Sequence, residues 1–316
     1  MTEAVTSTPN VRPTRKTRVK RRAMSERSFA FLLIAPSLIF IGIIVAWPLL
    51  ETIRLSFTNA NLGGEEYVGF ANYEKLANSR KFQNTVQLTF VWMFFSVFGK
   101  LIMGLIGASL LNAAVPGKAL FRVLIMPPWI VPIAIGCIGW LWMYNGYFGL
   151  LSGLLQRFGI LDGPYEFLAY KDSAFWATIV TDIWIGVPMV TLFFLAAMQG
   201  VPRDLYEAAY VDGASRWYRF RRITLPQIFP VIMSMMLLSA IWTFNSFEII
   251  YILTGGGPRN ATMTLIVDTY RTAIGNFKFG EGAARAVVIV ILLSIFSLVY
   301  MWVLNRIAKR YRSDDT

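Results

Sequence analysis

The sequence has 316 residues, 56% of them hydrophobic and 15% charged, with a formal net charge of +12. That apolar share exceeds the share in ordinary soluble domains, and the mean hydropathy of +0.53 agrees, so the composition indicates an integral membrane protein. The absence of histidine excludes a histidine general acid, a histidine metal ligand and any Ser-His or Cys-His pair, and the single cysteine, Cys137, excludes an intrachain disulfide. No catalytic residue and no metal site is expected.

Residues 1–27 form a basic tail carrying Arg12, Arg15, Lys16, Arg18, Lys20, Arg21, Arg22 and Arg27 among Thr, Pro and Ser. Such a tail suits either a nucleic-acid arm or a cytoplasmic anchor beside a membrane helix, and the apolar run that follows favours the anchor. That run, 29–50, is too long for a signal-peptide core and lacks a small-residue cleavage site, so it reads as the first membrane helix. Five more spans are predicted over 86–113, 119–144, 173–199, 227–253 and 286–305. Each reaches the roughly 20 apolar residues that cross a bilayer core. Pro127, Pro128 and Pro132 interrupt the third and Pro188 the fourth, which membrane helices tolerate when neighbours satisfy the freed backbone groups.

Basic residues set the orientation. They concentrate in the first tail, at Lys118 and Arg122, in the polar segment 201–226, and at Arg306, Lys309, Arg310 and Arg312. The longer loops 51–85, 145–172 and 254–285 carry fewer for their length, which places both termini in the cytoplasm. Aromatic and small residues in those loops, as in Tyr67–Tyr73 and Asn145–Gly149, suit either an interfacial belt or a docking surface for a soluble delivery protein. The expected organisation is a basic tail (1–27), a six-helix transmembrane domain (28–306) containing the loop 201–226, and a second tail (307–316).

Within that loop, Pro202-Arg203-Asp204-Leu205-Tyr206-Glu207-Ala208-Ala209 is a helix start, with proline at the first turn and acids early. Gly213 is a stop, and Pro226 falls where the next membrane helix is expected to begin. Beyond it, Ser239, Thr243 and Ser246 recur at spacings that share one helix face, with Trp242 and Asn245 nearby. Those side chains suit a hydroxylated substrate, or equally the packing of helices in a membrane. Lys100, Asp182 and Glu248 are ionisable residues in or near apolar spans, where a central charge costs roughly 2.5–3.5 kcal/mol and needs a partner, water or a function. Glu248 is placed near the outer end of its helix. Lys100 and Asp182 are deeper and opposite in charge, with depths differing by roughly 7 Å at 1.5 Å per residue, so either a lysine stem brings them together or each faces a water-filled pathway separately.

The order Glu207-Ala208-Ala209, three residues, Gly213, nine residues, Ile223, one residue, Leu225-Pro226 resembles the signature loop of ABC importer permeases, with no departure in spacing. Asp212 lies just before the glycine. The resemblance implies that Glu207, Ala208, Ala209, Asp212, Gly213, Ile223, Leu225 and Pro226 belong to a coupling helix and its flank, seated in a cleft of a cytoplasmic ATPase. Ala35-Pro36-Ser37, Trp47-Pro48, Ser56-Phe57-Thr58, Val68–Tyr73 and Leu253-Thr254-Gly255-Gly256-Gly257-Pro258 are similar to the carbohydrate class, the maltose, glycerol-phosphate and multiple-sugar branch. Together these cover most of 29–305. Within the branch the chain looks like an F-type subunit, without the extra N-terminal helices that some F-type members carry.

What this implies is an all-α type I permease fold with six transmembrane helices and cytoplasmic N and C termini, in the bacterial cytoplasmic (inner) membrane. Its expected function is to pass a sugar or related polyol or sugar phosphate by alternating access, driven by partner ATPases. The implied partners are a related G-type permease, two ATPase subunits, an extracytoplasmic solute-binding protein, the lipid bilayer and the sugar, with no nucleic acid. The helix matching 227–253 contributes to the sugar site in that family, which makes Ser239, Trp242, Thr243, Asn245 and Ser246 substrate-pathway candidates. No Gly-x4-Gly-Lys-[Ser/Thr] phosphate loop is present; Gly99-Lys100 and Gly117-Lys118 have the wrong neighbours. The chain is therefore expected not to be an enzyme and to hold no cofactor, ATP and Mg being bound by the partner ATPase. Two alternatives are an ion-coupled secondary transporter, which should show related structural repeats and more helices, and a membrane scaffold subunit, which has no need of a long structured loop here.

Overall fold

The computed structural model describes residues 25–113 and 117–313. The tail expected over 1–27 lies almost wholly outside the described residues. Among them the regular structure is helical, and extended pairing is limited to the isolated bridges Thr58–Tyr67, Asn61–Gly64 and Asn61–Lys278.

The chain divides into two units, 1–50 and 51–316. In the first, helix Glu26–Ile41 carries Pro36 and passes into a π-helical turn over Gly42–Ala46. Its large apolar side chains, Phe31, Leu33 and Phe40 among them, are exposed, as in a helix that lipid covers.

Five helices among the described residues are long and apolar enough to cross a membrane: Phe29–Leu55, Arg80–Asn112, Lys171–Gln199, Arg216–Phe244 and Phe279–Arg306. The pair Lys118–Ile130 and Ile133–Tyr144 makes a sixth span if it crosses as one, but it is bent by 97°. In chain order these are the first to sixth spans, the bent pair being the third. The span expected over 119–144, interrupted by three prolines, is thus made of two helices that meet at this bend. Pro132 drives its neighbour Val131 out of the helical region, to φ −67° and ψ 136°, because the proline ring clashes with a helical predecessor. Pro127 and Pro128 open a short helical turn, where a missing N–H costs nothing. Pro188 and Pro230 lie inside continuous helices.

The fifth span also differs from expectation at both ends. It starts at Arg216, with a π-helical turn over Phe220–Thr224, and stops at Phe244 rather than 253. Asn245 leaves the helix at φ −94° and ψ 7°, and a separate short helix runs over Glu248–Leu253. The last helix continues its backbone through Ser313, so the segment expected as a second tail is mostly helical.

Packing centres on the second and fourth spans, which lie close because small residues face bulky ones. A Cβ at Gly99 would fall 2.2 Å from Ile183 Cδ1, and one at Gly104 2.5 Å from Val190 Cγ1. Such contacts bring backbones together where lipid supplies no hydrophobic drive between helices. Around them Met93, Val97, Leu101, Phe194, Met235 and Phe244 form one buried cluster.

Candidate functional site

Two features stand out: a polar connecting segment and a cavity among the spans. In the segment, helix Arg203–Val211 begins after Pro202 with Asp204 in its first turn, where an acid favours the N-terminal dipole. It ends at Gly213, whose φ of +74° is open to glycine and strained for other residues. The Gly213 amide donates to Tyr210 O at 3.0 Å and the Ala214 amide to Ala209 O at 2.9 Å, the paired bonds of a Schellman closure. Ser215 then caps the next turn through Tyr218 N–H at 3.2 Å.

Glu207, Ala208, Asp212 and Gly213 are exposed, and Ala209 is half-buried. Ile223 and Leu225 are half-buried, Ile223 packing on the main core, while Pro226 is exposed. Leu225 and Pro226 do not precede the fifth span as expected; they lie within it, directly after the π-helical turn. Tyr206 Oη lies 2.9 Å from Thr224 Oγ1, tying the short helix to that turn. Tyr210, Val211, Trp217 and Tyr218 are exposed on the same segment, with Val211 at 85%. Large apolar side chains so open on a polar connector form a surface suited to a partner.

The cavity has a volume of about 510 Å³, within the usual range for small-molecule sites. Its wall includes every pathway residue expected from sequence, Ser239, Trp242, Thr243, Asn245 and Ser246, together with Lys100 and Asp182. Lys100 Nζ lies 2.6 Å from Asp182 Oδ2 and donates to Thr243 Oγ1 at 2.8 Å. Both charged side chains are buried, at 8% and 5% exposure. Gly186 makes room for this: a Cβ there would meet Lys100 Cδ at 2.7 Å, so the lysine stem crosses the fourth span where a side chain is missing. Asp182 Oδ2 makes the ionic contact without a hydrogen bond of regular geometry.

Ser239 and Thr243 share a buried face of the fifth span as the spacing implies. Ser246 does not, because the helix has ended; it reaches the cavity from the break. Glu248 is likewise not at the outer end of that helix but opens the next one, and it too lines the cavity. Trp129, from the first half of the bent third span, was not singled out by sequence reading. A proline-rich break beside an indole is the signal that could have found it. Hydroxyls, an amide, carboxylates and two indoles around one space can hydrogen-bond and face a polyhydroxylated molecule. No group of acids and cysteine suited to a metal ion occurs among the described residues.

Comparison with known proteins agrees with this architecture. The family described as "Binding-protein-dependent transport system inner membrane component" matches residues 100–313. A probable ABC transporter permease protein of Brucella suis biovar 1 (strain 1330) is 34% identical over 285 residues, covering 90% of this chain and 99% of that protein. The trehalose/maltose transport system permease protein MalF of Thermococcus litoralis is 34% identical over 280 residues, covering 87% and 93%. Among solved structures, a chain of the bacterial alginate ABC transporter in complex with alginate pentasaccharide-bound periplasmic protein is similar with a TM-score of 0.78. It is 21% identical and the match covers 89% of this chain and 96% of that one, a likeness of fold. The chain belongs to the family of inner membrane components of binding-protein-dependent transport systems, as a multi-pass ABC transporter permease.

Proposed function

We propose that this chain is the F-type permease subunit of a binding-protein-dependent importer for a sugar or related polyhydroxylated solute. It pairs with a related G-type permease, two ATPase subunits that bind ATP and Mg, and an extracytoplasmic binding protein that selects the solute. Both termini face the cytoplasm, on the same side as helix Arg203–Val211, which seats in an ATPase cleft. Glu207 makes polar contacts there, Ala208 and Ala209 permit close approach, and Asp212 and Gly213 turn the chain away. The solute class is supported by the carbohydrate-type motifs and by the name of the Thermococcus litoralis relative.

One observation carries the proposal. The short helix is tied through Tyr206 and Thr224 to the start of the fifth span, and the same span carries Ser239, Trp242 and Thr243 into the cavity wall. A displacement of the short helix when the ATPases close is thereby delivered along one continuous helix to the solute-facing side chains, which is what alternating access requires. The Lys100–Asp182 pair holds the second and fourth spans together beside it, so the cavity changes shape by helix movement rather than by loosening.

The test is purification of the full chain from its native membrane. Co-purification with an ATPase subunit, lost on deleting 203–213, is the expected result. A chain that purifies without an ATPase and couples solute uptake to an ion gradient overturns the proposal.

A further inference from the structure

We infer that the cavity admits neutral polyhydroxylated solutes and rejects anionic ones, because Glu248 leaves its wall with one uncompensated negative charge. The inference rests on reading this cavity as the solute route. Three ionisable side chains line it: Lys100, Asp182 and Glu248. Lys100 and Asp182 neutralise each other at 2.6 Å, and the ammonium spends a further donor on Thr243 Oγ1 at 2.8 Å. A phosphate, sulfonate or carboxylate seeking Lys100 would have to draw it from both, leaving Asp182 buried without its counter-charge, an expensive exchange. Among the described residues Glu248 joins no ion pair.

The balance is therefore one negative charge facing a space whose wall, beside its hydroxyls and amide, is apolar at Ile133, Ile185, Val190 and Met235. The apolar part of that wall screens poorly, so the field of a single carboxylate extends into the cavity. A neutral solute meets no such barrier. Its hydroxyls can donate to Glu248, while Trp129 and Trp242 offer ring faces to its C–H groups. In this account Glu248 is a specificity-determining residue, and the Lys100–Asp182 pair is electrically silent.

The test reads the cavity's potential directly. In the full chain carrying Cys137→Ala and Ser246→Cys, in native membrane vesicles, labelling rates are measured with methanethiosulfonate reagents bearing a trimethylammonium or a sulfonate group. Their ratio is compared with the ratio for a free small-molecule thiol. The expected result is a ratio favouring the cationic reagent, falling about tenfold on Glu248→Gln and unchanged on Glu248→Asp, which keeps the charge and checks that the fold survives. Labelling by both reagents with a ratio like that of the free thiol and insensitive to Glu248→Gln overturns the charge inference and leaves the solute route standing. Labelling by neither reagent, with or without ATP and the binding protein, shows that the space is closed to water and overturns both.

Discussion

The polar segment 201–226 and the cavity are both functional candidates, yet they are built in opposite ways. The segment is local: Glu207, Gly213, Ile223 and Pro226 are fixed by spacing along the chain, and a cap, a glycine turn and a π-helical turn place them. The cavity is assembled from the second, third, fourth and fifth spans and the short helix after the fifth, so no single stretch contains it. The difference teaches where each is fragile. A local device fails when one backbone conformation is forbidden, whereas an assembled one fails when a contact between distant helices is removed.

Gly213→Val breaks the local device most completely. Valine resists a φ of +74°, so the closure after Val211 must rearrange. Solute uptake in cells is expected to be abolished while the amount of chain in the membrane stays at wild-type level. Gly213→Asn, which tolerates that conformation better, should retain part of the uptake.

Removing half of the buried pair breaks the assembled site next. Lys100→Met or Asp182→Leu leaves an unpaired charge among three spans and is expected to cost about 3–5 kcal/mol. The double variant should be more stable than at least one of the singles in thermal unfolding in detergent. Additive losses in the double would show that the two charges act independently despite their contact.

A smaller effect probes the link between the regions. Tyr206→Phe deletes the hydrogen bond to Thr224 and should cost about 1 kcal/mol. If that bond transmits movement, uptake should fall severalfold while ATPase co-purification is retained. Unchanged uptake would mean that the two regions communicate through another contact.

These contrasts follow what could be read from the residues alone. The signature spacing, the Gly213 stop and the membrane spans were legible because each is a short-range property. The approach of Lys100 to Asp182 was legible as chemistry, since two opposite charges in apolar helices need each other, but the gap at Gly186 that lets the lysine cross was not. The bend at Pro132 was underestimated. Proline at Pro188 and Pro230 is carried within a continuous helix, and only the surroundings decide which outcome follows. The end of the fifth span at Phe244 was hidden for a similar reason: the apolar run continues through the break, so hydropathy sees one helix where the backbone makes two. That break is what turns Ser246 and Glu248 toward the cavity.

Reconstitution tests the central claim most directly. Purified chain, its permease partner, the ATPase subunits and the binding protein are assembled in liposomes, and uptake of the solute carried by that binding protein is measured. Uptake should require ATP, every subunit and the binding protein together, and should vanish with Gly213→Val. Solute accumulation by this chain in liposomes that contain no ATPase would contradict the account.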